Sequence, residues 1–242
     1  MGSGSVGPVH CGVCGRPVPD DRAPCPGCGS SSRRYDLAVH AAARADAKLG
    51  LVHDSPAAPG KAHSINVQSG SGMRSSAELG PEGVVRISAS GRPDVGTRGE
   101  PELVGILLRR LADEGSSLRL IDGASDSRGE DGLLAGDNQE FVLQVTAVPS
   151  NSAFWREVAQ GSGSTQVPKE HAVAWLRDAV VLKAKMAEPE QTILAIDARH
   201  AGVLADPAIA ELYRSTYSSP TVEYGFAQAW VVGPTSSNCT RL

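Results

Sequence analysis

Four cysteines, Cys11, Cys14, Cys25 and Cys28, stand in two near-identical knuckles, CGVCG and CPGCG, separated by ten residues. A CxxC turn aims two thiolates at one point, and the glycine after it lets the backbone curl round the sulfurs. Two such turns complete a tetrahedral four-thiolate site for structural Zn²⁺. The segment has almost no apolar residues to fold around, so the metal is its source of stability. Four thiolates leave no open coordination position, which makes this zinc structural and not catalytic; His10, beside the first knuckle, is a bystander. A second set of residues is spread more widely. Gln144 sits in the middle of the apolar run FVLQVTAV, where a buried amide needs partners. Asp131 precedes that run in EDGLLAGDNQ. Lys183 falls in line with Ala172, Leu176, Ala179 and Val180, on an apolar face where an ammonium is not normally solvated. A carboxylate and an amide oxygen are ligands for a hard cation such as Mg²⁺. The residues alone leave Gln144 open between a hydrogen-bonded structural amide and a metal or phosphate contact, and Lys183 between a site lysine and one whose stem only covers the core.

The totals narrow the class. At 242 residues and 40% hydrophobic content the chain can bury a real core. A net charge of −4, from 23 basic and 27 acidic residues, lacks the basic excess of a protein that binds nucleic acid by charge alone. The N-terminus MGSGSVGPVHC has neither the charged start nor the apolar stretch of a signal peptide, and no run approaches the roughly 18 apolar residues of a membrane span. A cytoplasmic protein with no membrane partner is expected, with thiols kept reduced and available to metal. Cys239 stands alone and is given no role.

The elements that must position these residues follow from periodicity. DLAVHAAARADAKLGL (36–51) reads as a helix and SPAAPGK (55–61) as a linker. AHSINVQSG and GVVRISASG read as paired strands around a loop containing Gly72 and GPEG. PELVGILLRRLADEG (101–115) has Pro at a helix start and Gly115 as a stop. SLRLIDG reads as a strand, GLLAG and FVLQVTAV as a hairpin around GDNQ, 169–187 as a long helix, and TILAIDA as a buried strand. Residues 158–168 read as loop, with GSGS at 161–164 as its flexible part. DPAIAELYRSTY is a helix with an Asp N-cap, and GFAQAWVVGP is a strand with Trp230 in or near the core. Tyr213, Tyr217 and Tyr224 are read as packing ahead of base stacking. His171 and His200 are taken as surface residues.

The order helix, three strands, helix, strand, with an acidic residue opening the second strand and a polar one in the third, resembles the PD-(D/E)xK phosphodiesterases of the restriction-endonuclease-like superfamily over residues 100–200. Residues 9–34 resemble a short zinc ribbon. The resemblance implies an α/β fold with a restriction-endonuclease-like core preceded by the ribbon: zinc ribbon 1–34, helix and linker 35–60, β-hairpin extension 61–98, α/β domain 99–242. It also implies that Asp131 and Gln144 meet where the hairpin strands diverge and bind Mg²⁺, that Lys183 handles the attacking water, and that an acid on the first helix, Glu102 or Glu100, assists. The family's lysine would fall two residues after Gln144, where this chain has Thr146; Lys183 stands in from the following helix. Lys185, on the more polar side with Asp178, is the weaker choice, and Asp122 and Asp126 are rivals to Asp131.

Three functions follow from this reading: a metal-dependent nuclease acting on nucleic acid, DNA ahead of RNA; a nuclease-fold binding module without chemistry; and a zinc-ribbon adaptor that binds protein. No GxSxG elbow, GxxxxGK[ST] phosphate loop or HExxH helix is present. The ribbon reading predicts one zinc per purified chain by elemental analysis, with loss of that zinc in Cys14→Ala and in Cys25→Ala.

Overall fold

The computed structural model describes residues 51–56, 61–68, 73–91, 100–125, 130–136, 139–149, 152–185 and 188–242, with the short pieces 9–11, 26 and 33–35. The helix expected over 36–50 lies outside them, as do Cys14, Cys25 and Cys28 and the side chain of Cys11. Of the expected ribbon, the backbones of β1 (Val9–Cys11) and β2 (Arg33–Tyr35) are described; they pair antiparallel, with Cys11 opposite Arg33.

The architecture is mixed α/β with two larger sheets. Helix α1 (Glu100–Asp113) is followed by β7 (Arg119–Ser125), β8 (Glu130–Ala135) and β9 (Glu140–Ala147), an antiparallel meander. After α2 (Ser152–Ala159) and β10 (Ser162–Pro168) the chain enters the long helix α3 (Lys169–Ala184) and then β11 (Thr192–Asp197). Helices α4 (Pro207–Tyr217) and α5 (Pro220–Glu223) lead to β12 (Gln228–Val232) and β13 (Cys239–Arg241). The six strands stand in the order β7-β8-β9-β11-β12-β13. β9, β11 and β12 run parallel, which needs crossover helices, and α3 and α4 supply them. Asp206 caps α4 by accepting the Ala208 amide at 2.7 Å, as the Asp-Pro pair predicts. Parallel strands buried on both faces read as continuous apolar runs, and five of the six residues of β11 are buried.

The second sheet holds β10, β6 (Val84–Ser90), β5 (Arg74–Leu79), β4 (His63–Gln68) and β3 (Leu51–Ser55), in that order and all antiparallel. Here the expectation of a β4–β6 pair is corrected, because β5 lies between them and pairs with both. The expected loop at 158–168 is also a strand for most of its length. GSGS looks flexible in isolation, but Ser162–Pro168 completes seven paired positions along β6. Gly163 has a local reason to be glycine: a Cβ there would stand 2.9 Å from the Phe154 carbonyl oxygen and 2.9 Å from Val158 Cγ2, so its absence lets α2 lie against β10. One hydrophobic core joins both sheets, running from Ile65, Val85 and Ile87 through Leu143, Leu176 and Ile196 to Trp230.

Tyr213 is fully buried, in edge contact with Tyr217, and Trp230 is in the core, in line with the packing reading of both. Among the described residues no helix is long and apolar enough to cross a membrane. Replacing Gly163 with valine should destabilise the fold by about 1–3 kcal/mol, the range for overpacking, seen as a lower midpoint in urea denaturation with an unchanged slope.

Candidate functional site

The β8–β9 ladder runs from Ala135↔Glu140 to Gly132↔Leu143 and stops there. Beyond it β8 stays with β7, through Gly123↔Gly132 and Ser125↔Glu130, while β9 stays with β11, through Leu194↔Gln144 and Ala195↔Val145. A register shift between Leu120 and Asp122 adds a residue to β7, a device that increases local twist. Asp131 and Gln144 are the first residues past the fork. The Val145 amide, turned toward the departing strand, loses a ladder partner and donates instead to Asp131 Oδ2 at 2.5 Å. The carboxylate thus replaces a backbone acceptor and holds the mouth of the hairpin open.

Lys183 reaches the same place from α3. Its buried neighbours Ala172, Val173, Leu176, Ala179 and Val180 press that face of the helix on the core, and Lys183 continues the line at the last turn. Its Nζ donates to Gln144 Oε1 at 2.8 Å and lies 3.5 Å from Asp131 Oδ2. The Lys183 and Asp131 side chains are 15% and 23% exposed, and Gln144 is 4% exposed. The buried amide at the centre of FVLQVTAV therefore has an ammonium partner, and carboxylate, amide oxygen and ammonium share one partly shielded spot. A cation near a helix C-terminus also meets the negative end of the helix dipole.

Thr146 is half-buried and, by strand alternation, on the same face as Gln144; it brings a hydroxyl where a lysine would bring a charge. Lys185 and Asp178 are exposed. Asp122 is opposite Leu133 on β7 with its side chain outside the described residues, and Asp126 lies wholly outside them. The side chain of Glu100 is likewise not described. Glu102 has a different setting from the other three: its Oε2 accepts from Arg199 Nη1 at 2.8 Å. Arg199 is 4% exposed and also clasps Asp197, donating from Nε to Oδ1 at 3.0 Å and from Nη2 to Oδ2 at 2.8 Å. Alternation puts Asp197 on the face opposite Gln144, so Glu102 joins α1 to the end of β11 across the sheet from Lys183.

Two other polar groupings have no sequence signal. His63, 8% exposed, faces a carboxylate at each ring nitrogen: Asp206 Oδ2 is 2.5 Å from Nδ1, and Asp54 Oδ1 is 3.0 Å from Nε2. It ties β4 to the cap of α4. His200, expected at the surface, is half-buried, with Nδ1 3.3 Å from Ser75 Oγ and its ring edge-on to Trp155; the packing of β5 and α2 around it is the reason. Burial pushes the Cys239 thiol up to about 12, so it is inert at neutral pH.

Burial works to raise the pKa of Asp197, but the charge and hydrogen bonds of Arg199, with help from His200, outweigh it and hold the carboxyl below the ordinary aspartate range. A depressed carboxylate stabilises the fold fully above its unfolded pKa and loses that contribution as pH falls through the folded value. Asp197→Asn should therefore cost on the order of 3 kcal/mol at neutral pH, the range for breaking a buried pair, with the gap to the parent closing only below the ordinary aspartate range. Denaturant midpoints across an acid series measure this. No protein-family model, no curated protein and no solved structure matches the chain.

Proposed function

We propose that the chain is a metal-dependent phosphodiesterase acting on nucleic acid, DNA ahead of RNA, with its N-terminal cysteines forming a zinc ribbon that assists substrate or partner recognition. The observation that carries this reading is the meeting of Asp131, Gln144 and Lys183 where β8 leaves β9. The helix, three strands, helix, strand order over 100–197 is the arrangement the PD-(D/E)xK resemblance implies, here with α2 and β10 inserted before the second helix. β2, part of the proposed ribbon, lies against β7, an edge strand of the same sheet.

The donor set suits Mg²⁺ in kind: hard oxygens, few enough that the ion would keep several waters. Asp131 and Gln144 would hold it, and it would supply an activated water and neutralise charge developing on the phosphate. Among the described residues no group of three or more His, Cys, Asp or Glu is placed to hold a metal, so this would be a weak site completed by substrate, not a cage. Asp131 Oδ2 is engaged by the Val145 amide and Lys183, which leaves Oδ1 as the free ligand oxygen. Gln144 Oε1, which accepts from Lys183 here, would turn to the ion as the ammonium engaged a phosphate oxygen. There Lys183 would offset negative charge at the scissile group or orient the attacking water.

The same contacts set the test. Labelled DNA and RNA incubated with Mg²⁺ or Mn²⁺ should be cleaved, with cleavage abolished by EDTA and reduced at least about a hundredfold in Asp131→Ala and Lys183→Met, the lower range for losing one acid–base group. A unit charge about 4 Å away weighs roughly 4 kcal/mol at an effective dielectric near 20, so Lys183→Met should also bind Mn²⁺ more than about tenfold tighter than the parent in calorimetry. Cleavage indifferent to both substitutions would remove this assignment. Nucleic-acid binding without cleavage would favour the inert-module reading, to which Thr146 and the uncharged Gln144 also lend themselves.

A further inference from the structure

The outer face of the five-stranded sheet is polar over the width of β10, β6, β5 and β4. The register aligns Ser164, Ser88, Ser76, Asn66 and His53 in one row across β10, β6, β5, β4 and β3. Directly opposed residues project to the same side, so the five side chains stand together. The next row is Ser162, Ser90, Arg74 and Gln68, and it ends at Leu51 on β3. The opposite face of these strands carries Ile65, Val67, Ala77, Val85, Ile87 and Ala89, all buried in the core. The alternation holds for most positions, with Ser75 a buried polar exception on the core side, and the polar side is turned to solvent.

The two rows lie on the floor of a cleft of about 660 Å³, within the range of small-molecule sites. Its form follows from side-chain length. Serines in the middle leave a trough, and the longer His53, Gln68, Arg74 and Glu157 rise around it, Glu157 coming from α2. Strand centres favour β-branched and aromatic residues, and none appears in these rows, so strand stability does not account for the serines.

The chemistry of the lining selects the occupant. Apart from Leu51 on the edge strand β3, neither row carries an aliphatic or large aromatic residue, so an apolar ligand gains little there. A polyanion gains little as well. Arg86, in the adjoining row, is neutralised by Glu78 at 3.0 Å and Glu82 at 2.6 Å, and the cleft lining itself carries one base, Arg74, and one acid, Glu157, with no net charge between them. What remains is a dense, nearly uncharged array of hydroxyls, amides and one imidazole, each group able to donate, accept or both. We infer that this cleft binds a neutral polyhydroxylated ligand, a short saccharide, whose hydroxyls pair with Ser76, Ser88, Ser164, Asn66 and Gln68, with Arg74 and Glu157 at its rim. This site is separate from the Asp131 fork and does not depend on its chemistry.

The experiment is titration of the ¹⁵N-labelled full chain with maltotriose, cellotriose and chitotriose, in parallel with a thymidine oligonucleotide. Saturable shifts in the amides of Ser76, Ser88 and Ser164 with at least one trisaccharide are expected. Ser76→Val and Ser88→Val are strand-compatible and face solvent, so the thermal midpoint should hold while affinity falls about tenfold. No saturable shift with any trisaccharide at tens of millimolar overturns the inference. So do shifts that both variants leave unchanged, and so does a response of these amides to the oligonucleotide alone, which would mark a polyanion surface.

Discussion

A backbone N–H turned away from water must have an acceptor, and at Val145 the neighbouring strand has already departed. Asp131 meets that demand, and the rest of the site follows from it. The carboxylate cannot swing freely, because it is spending one oxygen on the main chain. Its negative charge then calls for a cation, and α3 delivers one at its last turn, over a distance fixed by the packing of Val173, Leu176 and Val180. Gln144 completes the arrangement by accepting from the same ammonium. Each of the three polar groups thus has a partner among the other two or the backbone, the condition under which polar atoms persist in a largely apolar setting.

The two sheets divide the labour along chemical lines. The six-stranded sheet is apolar inside and concentrates its polar groups at the fork, with Asp131, Gln144 and Lys183, and at the end of β11, with Asp197 and Arg199. The five-stranded sheet keeps one face for the core and gives the other over to small polar side chains. Two polar clasps hold remote segments in register. Glu102–Arg199–Asp197 ties the first helix to the end of β11, and Asp54–His63–Asp206 ties the outer sheet to the start of α4. Buried pairs of this kind add little net stability when compared with apolar packing, but they penalise strongly any arrangement in which one member is left alone.

Local periodicity made much of this legible. α1, β7 to β9, α3, β11, α4 and β12 all emerge from apolar spacing and from Pro, Gly and Asp at their ends, because each has a strong buried stripe or run. Gln144 and Lys183 were conspicuous as anomalies inside such elements, which is why two side chains 39 positions apart could be suspected of meeting. β10 and β5 were not legible. The Ser and Gly of β10 and the paired serines of β5 mimic loops, and their strand state comes from pairing with β6, a tertiary effect that a window of sequence does not contain. The partners of Arg199 and His63, 97 and 143 positions away, left no local trace at all.

β10 passes directly into α3 at Pro168, and the first amide of that helix is fastened to the Gly83 carbonyl at 2.8 Å. From Lys169 to Lys183 the axis extends about 21 Å at 1.5 Å per residue. Because its buried side chains seat it on the core along that length, the helix acts as a single rigid strut. One end is fastened to the outer sheet and the other sets the Lys183 contact at the fork, so the two sheets share one spacing element.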